Sequence, residues 1–155
     1  MIKQLTSLLL VTLLLFLAGC SESPQLKKLP SDAVILALGD SLTYGTGASP
    51  DQSYPAILQS FSKRTVINAG VPGETSDMTL LRVKHLLVEH QPALVILCIG
   101  GNDILQRKPL EQIKNNIQQL IDAIRGQGSQ LILVAVPQFG FYPTAPNCGT
   151  ATSIS

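Results

Sequence analysis

Three apolar runs, Ala33–Leu38, Ala93–Ile99 and Gln130–Val136, are continuous rather than alternating and rich in β-branched residues. A strand with one wet face alternates in polarity, so uninterrupted runs of this length need cover on both faces. A shorter fourth run, Thr65–Asn68, lies between the first two. Helical patterns separate the runs. Ser53 is placed to cap a helix with Pro55 in its first turn and with Tyr54, Ile57, Leu58 and Phe61 on one face. The segment Ser76–Glu89 sets Leu80, Val83 and Leu87 on a stripe. Pro109 opens the cleanest helix, with Leu110, Ile113, Ile117, Leu120, Ile121 and Ile124 at helical spacing and Gly126 or Gly128 at its end. Four strands alternating with three helices predict an α/β domain: a parallel sheet with right-handed crossovers and helices on both faces.

In such a sheet the loops at the carboxyl ends of the strands collect on one side, where sites are built. Here those loops read Gly39-Asp40-Ser41-Leu42, Ala69-Gly70, Gly100-Gly101-Asn102-Asp103 and Pro137-Gln138. Three of the four carry glycine, two of them beside polar residues, more than turning the chain requires. Ser41 directly follows a buried strand, so its hydroxyl can stand over the sheet with its own backbone N–H available to a developing oxyanion. Gly70 can present its N–H without a side chain in the way, and Asn102 can donate from its amide. Two backbone N–H groups and one NH₂ around a hydroxyl form the donor set of a tetrahedral acyl intermediate. Thr43 stands where the nucleophile elbow of α/β-hydrolases has glycine, so that motif is not matched.

These three segments, with Gly70 inside Asn68-Ala69-Gly70-Val71-Pro72-Gly73-Glu74-Thr75, resemble the first three of the four signature blocks of the GDSL or SGNH hydrolases. The likeness runs from about Ala33 to Pro137 and points to the periplasmic multifunctional thioesterase/arylesterase/lysophospholipase group. It implies a flavodoxin-like three-layer α/β/α sandwich (the SGNH hydrolase fold) that hydrolyses carboxylic esters and often acyl-thioesters. It also implies Ser41 as nucleophile, with the backbones of Ser41 and Gly70 and the side chain of Asn102 as oxyanion hole. Asp40 and Asp103 fall on block positions and are read as anchors of their loops. The Ser49–Ser53 and Leu105–Pro109 loops are expected to line an acyl groove.

The fourth block of that family is an aspartate and a histidine two residues apart, and no Asp-x-x-His occurs in the sequence. Its only histidines, His85 and His90, fall at the end of the helix before the third strand, which delivers the chain to the amino-terminal side of the sheet. They are read as surface residues near a helix C-terminus. The 144–155 segment, from Thr144 through Cys148 to Ser155, has no charge and no helical stripe. It is read as a divergent tail, with a frame change or premature stop near Cys148. A hydrolase domain at 33–143 lacking its fifth strand and C-terminal helices is expected to be inactive or weakly active. Its fourth strand would form an exposed, aggregation-prone edge. The reading from another class is a non-catalytic lipoprotein that binds acyl chains or glycans in the same groove.

At the other end, a basic start and a leucine-rich run lead to Leu17-Ala18-Gly19-Cys20, which resembles the lipobox of bacterial lipoproteins. The resemblance implies a signal peptide over 1–19, acylation of Cys20 and attachment to a membrane, facing the periplasm in a two-membrane bacterium. Residues 20–32, polar and holding Pro24, Pro30 and Lys27-Lys28, are expected to act as a tether. Eleven basic against ten acidic side chains give a net charge of +1, without a basic cluster, which argues against nucleic acid as a partner. No histidine, cysteine or acidic group recurs at metal-ligand spacing, and no Gly-x-Gly-x-x-Gly follows the first strand, so neither a metal nor a nucleotide or flavin cofactor is implied. Cys98 inside an apolar run reads as a buried thiol, and the two cysteines after Cys20, Cys98 and Cys148, are no disulfide scaffold. A monomer acting on a small-molecule or lipid ester or thioester is the expectation.

Overall fold

The structure, a computed structural model, describes residues 26–135. The signal segment, Cys20, Val136, the Pro137-Gln138 loop and the tail with Cys148 lie outside the described residues.

Strands β1 (Val34–Gly39), β2 (Thr65–Gly70), β3 (Leu94–Cys98) and β4 (Gln130–Leu133) form one parallel sheet in the order β2-β1-β3-β4. The helices between them are α1 (Ser41–Tyr44), α2 (Tyr54–Ser62), α3 (Ser76–His90), α4 (Gly101–Leu105) and α5 (Leu110–Gly126), with a 3₁₀ turn at Pro50–Gln52. From β1 the chain steps one way to β2, then reverses across β1 to β3 and β4. Right-handed crossovers therefore put α2 on one face and α3 and α5 on the other. The short α1 and α4 leave no apolar period to read; each is a single turn begun by a polar or glycine cap at a strand end.

The predicted strands and long helices are present, β4 only over Gln130–Leu133 and half-buried rather than covered on both faces, and the core explains the others. Leu36, Leu38, Val95 and Leu97 alternate toward Val83 and Leu87 of α3 and Leu120 and Ile124 of α5, all 2% exposed or less. Ile35 and Ala37, on the other face of β1, are buried as well, as the uninterrupted apolar run requires. The α2 stripe departs from expectation. Pro55 is buried, whereas Ile57 and Phe61 are exposed, Phe61 by 83%. The Ser53 hydroxyl does not cap α2 either, because it donates to the carbonyl of Pro50 (3.0 Å) and closes the preceding 3₁₀ turn.

The segment read as a free tether is held from Lys27 onward. The Gln130 amide at the start of β4 bonds both main-chain groups of Lys27 (2.6 and 3.1 Å). The Arg64 guanidinium beside the start of β2 takes the carbonyls of Leu29 (2.9 Å) and Pro30 (2.8 Å). Residues 27–30 thus strap the amino-terminal end of the sheet from β4 to β2. Satisfying main-chain groups with two long polar side chains is a through-space event that composition alone does not signal.

Candidate active site

The register aligns Gly39 of β1 with Gly70 of β2 and with Cys98 of β3. Ser41, the 71–75 turn and the Gly101–Asp103 segment therefore emerge side by side at the carboxyl end of the sheet, as the loop argument expects. Asp40 caps α1: its buried carboxylate accepts the N–H of Leu42 (3.0 Å), and its carbonyl accepts the N–H of Tyr44 (2.9 Å). Ser41 opens this turn half-buried. Its N–H makes no bond among the described residues. A serine at a helix start, whose N–H has no intrahelical acceptor, is suited to attack a carbonyl and to receive the resulting oxyanion.

Gly39 and Gly70 are needed for packing. A side chain at Gly39 would strike the Cys98 carbonyl and the Thr43 hydroxyl; one at Gly70 would lie 2.6 Å from both Thr43 C and Tyr44 Cα. The N–H of Gly70, expected to face an oxyanion, instead donates to the Asn68 side chain (3.0 Å), which in turn donates to the Tyr44 carbonyl (3.3 Å). Gly70 therefore seats α1 against β2. Three residues on, a turn closed by Glu74 N–H to Val71 O (3.1 Å) carries Gly73 at φ +80°, with open space where a side chain would be. The Pro72-Gly73 pair is the sequence signal for such a turn, since glycine suits the third position when φ is positive. The Gly73 N–H has no partner among the described residues.

Asn102 lies in the first turn of α4, where its amide donates to the carbonyl of Glu74 (2.8 Å). This bond fixes which way the amide faces and leaves a second N–H on the same nitrogen. Asp103, fully buried, accepts from the Ser76 N–H (2.9 Å) and hydroxyl (2.7 Å) at the start of α3, and Asn116 of α5 donates to the same hydroxyl (2.9 Å). Lys108 bridges Asp77 (2.5 Å) and approaches Asp103 (3.9 Å). Hydrogen bonds from Lys108 and Thr75 hold the Asp77 carboxyl down at about 2. Asp103 is thus an anchor between loops, as read from the sequence, and not only within its own.

Burial pushes the Tyr54 phenol up, opposed by its bond to Thr43, and pushes the Cys98 thiol up with help from the Asp40 charge. A thiol shifted this way is the less nucleophilic protonated form. The histidines are elsewhere. Helix α3 starts beside Asp103 and runs back to the amino end, where Ala93 N–H bonds the Val34 carbonyl at the start of β1 (2.9 Å). His85 is 80% exposed beside Glu89, and His90 ends the helix. Neither is brought to Ser41.

The surroundings of Ser41 are apolar and open. Leu42, Tyr44, Val71 and Leu105 are all exposed at this end of the sheet. Of the two loops expected to line a groove, residues 49–52, 105–107 and 109 are exposed, whereas Ser53 is buried.

Known proteins resemble the chain in sequence and in fold. The chain is 31% identical over 135 residues to Esterase TesA of Pseudomonas aeruginosa, covering 81% of this chain and 67% of the relative. It is 34% identical over 104 residues to Thioesterase 1/protease 1/lysophospholipase L1 of Escherichia coli, covering 66% and 50%. It is 32% identical to an arylesterase of Vibrio mimicus, covering 84% and 66%. The chain thus spans about half to two thirds of the length of these relatives. Among solved structures, TesA superposes with a TM-score of 0.65 at 31% identity, over 66% of this chain and 60% of that one. The SGNH-hydrolase family esterase AlinE4 gives 0.63 at 32%, over 68% and 60%. Residues 37–153 match the profile of the GDSL-like lipase/acylhydrolase family, and with the parallel sheet and the loop order above, the chain belongs to that family and has the SGNH hydrolase fold.

Proposed function

We propose that the chain hydrolyses carboxylic esters and acyl-thioesters through Ser41, and that it does so slowly. The observation that carries this reading is the meeting of the Ser41, Gly73 and Asn102 loops over adjacent strands, with the Asn102 amide fixed on the Glu74 carbonyl. In this reading Ser41 attacks the ester carbonyl, and the oxyanion receives the N–H groups of Ser41 and Gly73 and the second N–H of the Asn102 amide. Gly73 takes the place expected of Gly70, whose N–H is engaged by Asn68. Exposed Leu42, Tyr44, Val71 and Leu105 offer an acyl chain apolar contact, and relatives named as esterase, arylesterase and thioesterase support that substrate class.

The slow rate is part of the proposal: among the described residues, His85 and His90 lie toward the far end of α3, which runs away from the Ser41 end of the sheet. A positioned serine without its base keeps part of the acceleration, from oxyanion stabilisation and binding. Turnover of a short-chain p-nitrophenyl ester, with and without added imidazole as a diffusible base, tests this reading against Ser41→Ala as blank. Imidazole-stimulated turnover that disappears in Ser41→Ala supports it. Equal rates in the two chains, with acyl ligand still bound, favour the non-catalytic binder that the remote histidines also suit.

Anchoring through an acylated Cys20, facing the periplasm in a two-membrane bacterium, belongs to the same proposal. From Leu26, next to the strap at the amino end of the sheet, an extended chain reaches Cys20 within about 20 Å. The Ser41 face would then look away from the membrane. Incorporation of labelled palmitate in the expressing bacterium, lost in Cys20→Ala, is the expected result, and equal labelling of both chains would remove the anchor.

A further inference from the structure

We infer that Arg82 is a positioning residue for the Asn102 amide, acting through Glu74, and that the Glu74–Arg82 ion pair exists to hold that geometry. This rests on the reading of Asn102 as an oxyanion donor. Glu74 is almost wholly buried, its side chain 3% exposed, and both its carboxylate oxygens are taken by one guanidinium (Nε to Oε1 and Nη2 to Oε2, each 2.5 Å). The same Nη2 donates to the carbonyl of Ala69 (2.7 Å), the residue before Gly70. One planar group on α3 therefore grips both ends of the 70–74 turn: the end of β2 through Ala69, and the far end through the Glu74 carboxylate. Between those grips sits Gly73, and the Glu74 main-chain carbonyl is the acceptor that orients Asn102 (2.8 Å).

A buried ion pair is weak evidence of stabilisation, since apolar side chains of the same volume often serve a core as well or better. A fork with fixed N–H directions gives geometry that a lysine ammonium cannot copy. Asp103 holds the next segment, from Ser76, in a separate set of bonds. Arg82 alone among these side chains touches both β2 and the residue whose carbonyl meets Asn102. Its bonds go to Glu74 and Ala69 and none to Ser41 among the described residues, so its influence passes through the turn.

The test combines a readout independent of catalysis with a kinetic one. In the ¹⁵N–¹H correlation spectrum of the full chain, the Asn102 side-chain amide, assigned by its loss in Asn102→Ala, is expected to show one proton shifted downfield and slow to exchange. In Arg82→Lys that proton is expected to return to the position of a solvated amide. In the imidazole-assisted, Ser41-dependent ester assay, Arg82→Lys is expected to lose roughly 10- to 100-fold in kcat with KM little changed, the scale of a displaced donor. In the Asn102→Ala background the same change is expected to cost less than about twofold. An Asn102 signal unchanged in folded Arg82→Lys overturns the proposal whatever the kinetics. So do additive losses in the double variant, which would make Arg82 a stabilising residue only. If no Ser41-dependent turnover exists, the hydrolase reading fails, while the amide signal still decides the role of Arg82.

Discussion

The two ends of the sheet are built by different rules. At the carboxyl end, Asp40, Thr43, Glu74, Thr75, Ser76, Thr79, Asp103 and Asn116 are buried, and no fully buried polar side-chain atom among the described residues lacks a hydrogen-bond partner. At the amino end the corresponding work is done by the strap, by helix C-caps and by Ser129, whose hydroxyl donates to the Pro92 carbonyl (2.7 Å). The histidines and an open cavity of about 470 Å³ between Leu87, Pro92, Gln127 and Ser129 also lie there. Desolvating a polar group is costly unless its bonds are replaced. A chain that buries eight such groups at one end, with partners for each, has concentrated directional bonds where three loops must hold a fixed relation. The other end needs only closure.

The largest effect that sharpens this contrast is expected from Asp103→Ala. It leaves the Ser76 N–H and hydroxyl without their buried acceptor, and a loss of about 3–4 kcal/mol in a denaturant melt is expected. Ser129→Ala at the amino end should cost about 1 kcal/mol; similar losses at both sites would break the contrast. Next comes Gly70→Ala, for which backbone collision with Thr43 and Tyr44 predicts about 2–3 kcal/mol. Gly73→Ala meets open space and suffers only its positive φ, so about 1 kcal/mol is expected on melting. If the two glycine variants melted alike, Gly70 would not be the packing residue.

Replacement of both histidines by alanine is expected to leave Ser41-dependent ester turnover within about twofold and stability within about 0.5 kcal/mol. A large loss of turnover would bring one of them into the site. The smallest effect concerns the Asp77 carboxyl, held at about 2 in the folded chain against an ordinary 3.8. A depressed folded value gives stabilisation that is fully present above pH 4 and is lost as pH falls toward 2. Because Asp77 is half exposed, that stabilisation is about 0.5 kcal/mol. Melts of Asp77→Asn and the parent chain should therefore differ slightly at pH 6 and converge near pH 2. A gap that widened toward acid would contradict the sign.

Much of this was legible in the sequence because it is local or periodic. The unbroken apolar runs require two-sided cover, which places the strands of the sheet, and Ser41 and Asn102 are read directly off strand ends. The helix pattern misleads at Phe61, because helical spacing shows which residues share a face and not whether the sheet reaches under that face. Arg82 was invisible for a related reason. Its partners are eight and thirteen residues away, and only the folded turn brings Glu74 and Ala69 to one guanidinium. Gly70 and Gly73 were separable in principle, since Pro72-Gly73 marks the turn with positive φ, but the competing use of the Gly70 N–H by Asn68 is a contact that no spacing rule gives. The strap was missed likewise, because residues 27–30 carry no apolar period and are held by side chains from β4 and the edge of β2.

The central claim is that Ser41 is the nucleophile of the proposed acyl-transfer site and that neither His85 nor His90 serves as its base, and peptide mapping of the chain quenched from p-nitrophenyl acetate tests it most directly. With imidazole present, the account predicts one acetyl group on Ser41, reduced in Asn102→Ala and absent from that peptide in Ser41→Ala. Acetylation confined to surface lysines, with Ser41 unmodified in the folded chain, would contradict it.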